Sequence, residues 1–267
     1  MRQSEQKVIL ITGAASGLGW SLTQGYHAMG YAVVMVDIQA KLLAERVMTL
    51  NAPESIFSLV VDITDTQAIY DLADQVQQKF GRLDVLINNA GITHRSLVEK
   101  TDPQVFKKVM AVDYQGPVEL TLALIELLKT SKGTIINVSS MAGWMPVLGR
   151  AGYCAAKSAL HQFFEVMRCE IRQHDVNILM VYPSFLDTPI ETNALGHDGN
   201  KATHKRSMVG GMGSADDVAE RIINAYKNGK ERLFPDKFTW FASVLYKIMP
   251  NTFLKGMTKK FSSELSS

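Results

Sequence analysis

The chain has 267 residues, 46% of them hydrophobic and 20% charged, with 28 Lys plus Arg against 26 Asp plus Glu. This length and apolar content can bury one substantial core, and the near balance of charge excludes the strong positive field that draws nucleic acid. Residues 1–13 lack the basic region, long apolar run and small-residue cleavage site of a secretory signal, so the expected setting is reducing and cytoplasmic.

In chain order, the first strand reads KVILIT over 7–12 and is followed at once by Thr12-Gly13-Ala14-Ala15-Ser16-Gly17-Leu18-Gly19 and a helix near 17–30. Glycines between a strand and a helix let backbone approach a pyrophosphate, and the open N–H groups and dipole of the helix stabilise its charge. Gly13, Ser16, Gly17, Leu18 and Gly19 are therefore candidate cofactor residues. The second strand, AVVMVD over 32–37, ends on Asp37, where a carboxylate can accept from ribose hydroxyls. A 2′-phosphate there would meet repulsion of roughly 4 kcal/mol per charge. Neither Ser16 nor Ile38 supplies a compensating cation, although Lys41 lies near, so the expected cofactor is NAD.

A helix near 40–50, a strand over 56–61, a helix near 66–80, a strand over 84–88 and a helix over 103–130 follow. The strand over 133–139 ends at Ser139 and Ser140, and the next helix, 151–174, carries Tyr153 and Lys157 four residues apart on one face. That helix also holds Cys154 and Cys169, the chain's 2 cysteines, roughly 22 Å apart and beyond disulfide reach. No metal-ligand spacing is found, and His94 reads as a surface or capping histidine ahead of a substrate-facing one. A sixth strand spans 177–182, and 189–213 reads as a long mobile loop placed to close over a substrate. A helix near 215–228 and a short RLFP run complete an alternation of about seven strands with helices. Each of the six long runs reads as a strand buried on both faces. The predicted fold is α/β, a doubly wound parallel Rossmann-type sheet in one catalytic domain over 1–267.

Ser140, Tyr153 and Lys157 make a chemical unit. A phenol has a reference pKa near ~10, so a base at working pH needs a neighbouring cation, which Lys157 and an oxidised nicotinamide provide. Tyr153 then takes or returns the proton of an alcohol while Ser140 holds the substrate oxygen. Tyr226 and Lys230 repeat the spacing, but Gly229 interrupts them and no serine-bearing strand end lies close upstream.

With TGAASGLG at 12–19, NNAG at 88–91, Ser139-Ser140 and YCAAK at 153–157, the chain resembles the short-chain dehydrogenase/reductase family over nearly its whole length. The resemblance implies that Asp62 and Ile63 lie beside adenine, that Asn89, Ala90 and Gly91 flank the cofactor, and that Lys157 contacts the nicotinamide ribose. It further implies a homodimer or homotetramer. Two departures stand out. Asp113 occupies the position of the family's helix-four Asn. There it either keeps a water relay to the lysine through its backbone or pairs with Lys157, and its charge would offset the lysine's. The turn Pro183-Ser184 replaces Pro-Gly ahead of Thr188, which resembles the nicotinamide-contacting threonine.

The expected activity is hydride transfer between NAD(H) and an apolar secondary alcohol or ketone, with Met141, Met145, Met208 and Met212 near the entrance. The alternative is a catalytically weak NAD(H)-binding sensor or assembly subunit. From Lys237 to Ser263 the chain carries five lysines and no acidic residue among apolar side chains. That basic amphipathic extension fits either a peripheral membrane contact or a subunit interface.

Overall fold

The computed structural model describes residues 6–203 and 212–260. Seven strands, β1 (Val8–Thr12), β2 (Ala32–Asp37), β3 (Ile56–Val60), β4 (Val85–Asn88), β5 (Thr134–Val138), β6 (Asn177–Val181) and β7 (Arg232–Leu233), form a parallel sheet in the order β3-β2-β1-β4-β5-β6-β7. The connecting helices are α1 (Gly17–Ala28), α2 (Ala40–Leu50), α3 (Thr66–Phe80), α4 (Pro103–Met110), α5 (Gly116–Ser131), α6 (Ala151–Ile171), α7 (Pro189–Thr192) and α8 (Ala215–Lys227). After β7 come α9 (Lys237–Ile248) and α10 (Pro250–Lys260).

Alternation along the strands builds the two layers. Val8 and Leu10 of β1 pack with Leu72 of α3, Leu124 of α5 and Phe164 of α6. Ile9 and Ile11 face the other way, onto Leu22 of α1, Leu43 of α2 and Ile222 of α8. Parallel neighbours need crossovers, and these crossovers cover both faces. The chain builds outward from β1 to β3, then returns to β4 on the far side of β1. Ligand crevices open at such a switch point, beyond the strand carboxyl ends.

Three expectations need correction. β3 alternates buried and exposed residues, with Val60 57% exposed, because it is the sheet edge and lacks a full layer outside it. The expected helix 103–130 contains a π-turn, Ala111–Gln115, in which the Gly116 N–H reaches the Ala111 carbonyl. Pro117 has no N–H to offer the Asp113 carbonyl, and its ring clashes with a regular turn there, so the helix widens. The described part of the 189–213 loop is tied down. Leu195 donates its N–H to the Thr93 carbonyl (2.9 Å) and accepts from the Arg95 N–H (2.7 Å), while Ala194 is buried. Met208, expected near the entrance, lies outside the described residues.

Candidate active site

A cavity of about 940 Å³ follows the carboxyl ends of the strands, from Asp37 on one side to Pro183 on the other. At its base Gly13 and Gly17 adopt φ of 65° and 51°, a region that side chains disfavour. A Cβ at Gly19 would sit 2.0 Å from the Gly13 carbonyl oxygen, so Gly19 supports the turn from behind and does not line the cavity. Asn89 Nδ2 donates to the Thr12 carbonyl (2.9 Å), and Thr12 Oγ1 accepts from the Asn89 and Ala90 N–H groups (both 3.0 Å). The loop after β4 is thereby stitched to the turn after β1. Ser16 makes no side-chain cap, and the first turn of α1 has no acidic residue. Its N–H groups remain available to an anion in the cavity.

Asp37 is 6% exposed, and its carboxylate accepts from the Ala15 N–H (3.0 Å) and the Gln39 N–H (2.9 Å). Arg46 Nε donates to the Ala15 carbonyl (3.1 Å), and the guanidinium lies 4.7 Å from the centroid of Trp20. Sequence spacing did not reveal this cation, which reaches the turn from α2. Asp62, Ile63, Ala90, Gly91 and Leu18 also line the cavity, as does Thr188. A Cβ at Gly17 would lie 3.0 Å from the Thr188 side chain, which sets how closely the residues before α7 approach the turn.

Ser140, Tyr153 and Lys157 meet on the opposite wall. Ser140 caps a short 3-10 turn after β5, its Oγ accepting from the Ala142 N–H (3.1 Å). That bond uses an oxygen lone pair and leaves the hydroxyl proton to be donated elsewhere. Lys157 Nζ donates to the Val138 carbonyl (3.2 Å) and lies 5.8 Å from the Tyr153 ring centroid. Burial pushes the Tyr153 phenol above its ordinary range, and the Asp113 carboxylate pushes the same way; the facing Ser140 hydroxyl and the Arg150 charge pull it back.

Asp113 sits behind this wall, fully buried and outside the cavity lining. Its Oδ1 accepts from the Ile92 N–H (2.8 Å), whereas Oδ2 has no partner among the described residues. Burial pushes the carboxyl up to about 6, held there against the Lys157 charge and the Ile92 bond. The expected direct pairing with Lys157 is not made among the described residues. Gly91 lies between, where a Cβ would be 3.0 Å from Asp113 Oδ1 and 3.4 Å from Lys157 Nζ.

The outer wall holds an ion pair that sequence reading missed. Arg150, 6% exposed, grips Glu191 of α7 through two bonds (2.8 and 3.2 Å) and donates to Thr93 Oγ1 (3.0 Å). Arg95 adds a bond to the Glu191 carbonyl (3.0 Å). No spacing rule links residues so far apart in the chain, so no local signal marks the pair. His94 is buried and caps α6, its Nε2 accepting from the Gly152 N–H (2.9 Å). The capping expectation fits that geometry, and the surface one does not.

Residues 7–198 match the family described as short chain dehydrogenase. This chain is a member of the short-chain dehydrogenase/reductase family. The short-chain dehydrogenase is similar to dehydrogenase/reductase SDR family member 7B of Bos taurus, with 33% identity over 269 residues covering 97% of this chain and 83% of the relative. Its fold matches a short chain dehydrogenase/reductase of Burkholderia phymatum in complex with NAD, at a TM-score of 0.81, 23% identity, and coverage of 92% and 95%. It also matches one from Burkholderia cenocepacia in complex with NADP, at 0.80, 21%, 96% and 98%.

Proposed function

We propose that this short-chain dehydrogenase transfers hydride between NAD(H) and the carbinol carbon of an apolar secondary alcohol or its ketone. The observation that carries the reading is the convergence of Ser140, Tyr153 and Lys157 on the wall of a cavity whose floor is an uncapped helix N-terminus. That floor fits a dinucleotide pyrophosphate: Gly13 and Gly17 bring bare backbone to the cavity, and nothing acidic stands in the first turn of α1. Asp37 would hold the adenosine ribose, Asp62 and Ile63 the adenine, and Asn89, Ala90, Gly91, Lys157, Pro183 and Thr188 the remainder. When bound, the nicotinamide supplies the two-electron chemistry.

The chain's own residues handle the proton. Ser140 donates to the substrate oxygen, and Tyr153 delivers its phenolic proton to that oxygen as a ketone becomes an alcohol. In the reverse direction Tyr153 is the base, aided by the Lys157 charge. Burial favours the neutral phenol, the form that reduction consumes. Asp113 acts from behind as a positioning group whose charge opposes deprotonation of Tyr153. Its effect keeps a weakly turning-over NAD(H) sensor as the second reading. The preference for NAD rests on Asp37, already committed to two N–H donors and close to where a 2′-phosphate would fall. Pairing into a homodimer or homotetramer is supported by the apolar side chains of Leu122 on α5 and Val166 on α6, each 53% exposed. A cytoplasmic setting accords with the free thiols of Cys154 and Cys169.

A panel of secondary alcohols and ketones, run with both coenzymes, tests the reading. Tyr153→Phe is expected to lower kcat by about 10²- to 10⁴-fold while NADH binding, followed by fluorescence, is retained. Turnover unchanged in that variant would refute the assignment; a wild-type chain that binds NADH yet turns over nothing would favour the sensor.

A further inference from the structure

Helix α9 is built inside out. The side chains it buries are small or polar: Thr239, Ser243 and Ala242 at 0%, 2% and 7% exposure. Their hydroxyls are satisfied locally, Thr239 Oγ1 on Asp236 (2.6 Å) and Ser243 Oγ on the Thr239 carbonyl (2.7 Å). Four of its large apolar side chains face outward, Phe238, Trp240, Phe241 and Ile248 being exposed by 52%, 51%, 61% and 73%, while Tyr246 packs inward. Phe241, Val244 and Ile248 follow helical spacing and form one stripe. Such a contiguous apolar strip on a soluble surface marks a docking face.

The charge around the strip selects its occupant. Lysines stand at 237, 255, 259 and 260 with no acidic residue among them, while Lys247 turns its ammonium onto the Trp144 ring (3.4 Å). A two-fold contact between copies of this chain would lay that patch on itself, lysine against lysine. Aromatic and aliphatic side chains rimmed by lysine instead match an anionic lipid surface, in which the rings enter the acyl boundary and the ammonium groups stay among headgroups. No helix among the described residues is long and apolar enough to cross a membrane. The contact is therefore a seat on the surface.

We propose that α9 and α10 seat this protein on an anionic bilayer. The two helices pack as a unit, with the rings of Tyr246 and Phe253 5.4 Å apart. Their inner side joins Ala242 to Met141, Met145 and Phe185, of which Met141 and Phe185 also line the active-site cavity. The docking face and the cavity wall are thus two sides of one hairpin, so an apolar substrate dissolved in the bilayer has a short path to the site. That consequence rests on the alcohol and ketone reading; the docking does not.

The full-length chain is sedimented with vesicles of phosphatidylcholine alone and of equal parts phosphatidylcholine and phosphatidylserine. Binding to the mixed vesicles, weaker by about tenfold on phosphatidylcholine alone, is the expected result. The double variant Phe241→Ser with Ile248→Ser is expected to lose about tenfold or more of the binding. Neither residue lines the cavity, so NADH fluorescence should be unchanged and reports that the variant is folded. Lys255→Glu with Lys259→Glu should weaken binding to the mixed vesicles alone. Failure of the wild type to sediment with mixed vesicles would overturn the proposal. So would a fall in the oligomer's mass by light scattering on introducing Phe241→Ser, since the face would then be a contact between copies. The readout uses no substrate, so loss of the oxidoreductase reading would leave it standing.

Discussion

Asp113 and Tyr153 oppose each other's ionisation across the wall that Lys157 shares. Burial holds the Asp113 carboxyl up at about 6, above the ordinary carboxylate range, so the folded state keeps a proton that the unfolded chain has lost. The Asp113 contribution to stability therefore falls as pH rises from about 4 through 6, and its penalty is full above that window. Asp113→Asn retains an acceptor for the Ile92 N–H and removes the charge. It is expected to gain on the order of 2 to 3 kcal/mol at pH 7 and nothing below pH 4, read by urea unfolding at each pH. The same variant should move the acid limb of alcohol oxidation down by about one pH unit, because the carboxylate no longer resists the phenolate. Asp37→Ser tests coenzyme choice at the same scale: the NAD to NADP ratio of kcat/KM is expected to drop by about a hundredfold or more. Arg46, reaching the Ala15 carbonyl, is the cation that would then serve a phosphate. The sequence marks Asp113 as a departure from Asn, but the intervening Gly91 is a tertiary fact. Spacing along one helix can place Tyr153 beside Lys157; it cannot place a residue of another helix behind them.

Among the elements, α6 bears both Tyr153 and Lys157, and its first turn hangs on His94. Burial and the Arg150 charge push this imidazole down to about 4, and acceptance from the Gly152 N–H requires its unprotonated Nε2. A base whose folded pKa is depressed gives stability that is present above pH 6.5 and lost as pH falls through 4. His94→Ala is expected to cost roughly 1 to 2 kcal/mol at neutral pH, a difference from the wild type in thermal melts that shrinks as pH falls from 6.5 to 4. Most of the strands and helices were legible because interior parallel strands read as continuous β-branched runs and the helices between them keep their own period. Local signals failed where a neighbour decides the outcome. β3 looks interior until the sheet order makes it an edge. The four-residue α7 has too few bonds of its own and depends on Arg150, so no periodicity announces it.

For the molecule as a whole, the proposed coenzyme bed draws on both halves of the sheet, from Asp37 at the end of β2 to Pro183 after β6. A ligand that touches both halves binds only the folded chain, so NADH at about a hundredfold over its Kd should add about 2.7 kcal/mol and raise Tm by about 5 °C. Gly17→Val should abolish that rise in a thermal scan, because φ of 51° disfavours a side chain and Thr188 fills the space beside it. The π-turn at Ala111–Gln115 bears on the architecture in a different way. It gives the rod of α4 and α5 a surplus residue that the wider turn absorbs, so α5 keeps the rotation it would have in a regular helix one residue shorter. Leu120, Leu124 and Leu128 thereby stay turned onto the sheet, in the layer they share with α3 and α6. The turn is the place where this rod can give up a residue and keep its facing; the same loss inside α5 would rotate the leucines beyond it by about 100°.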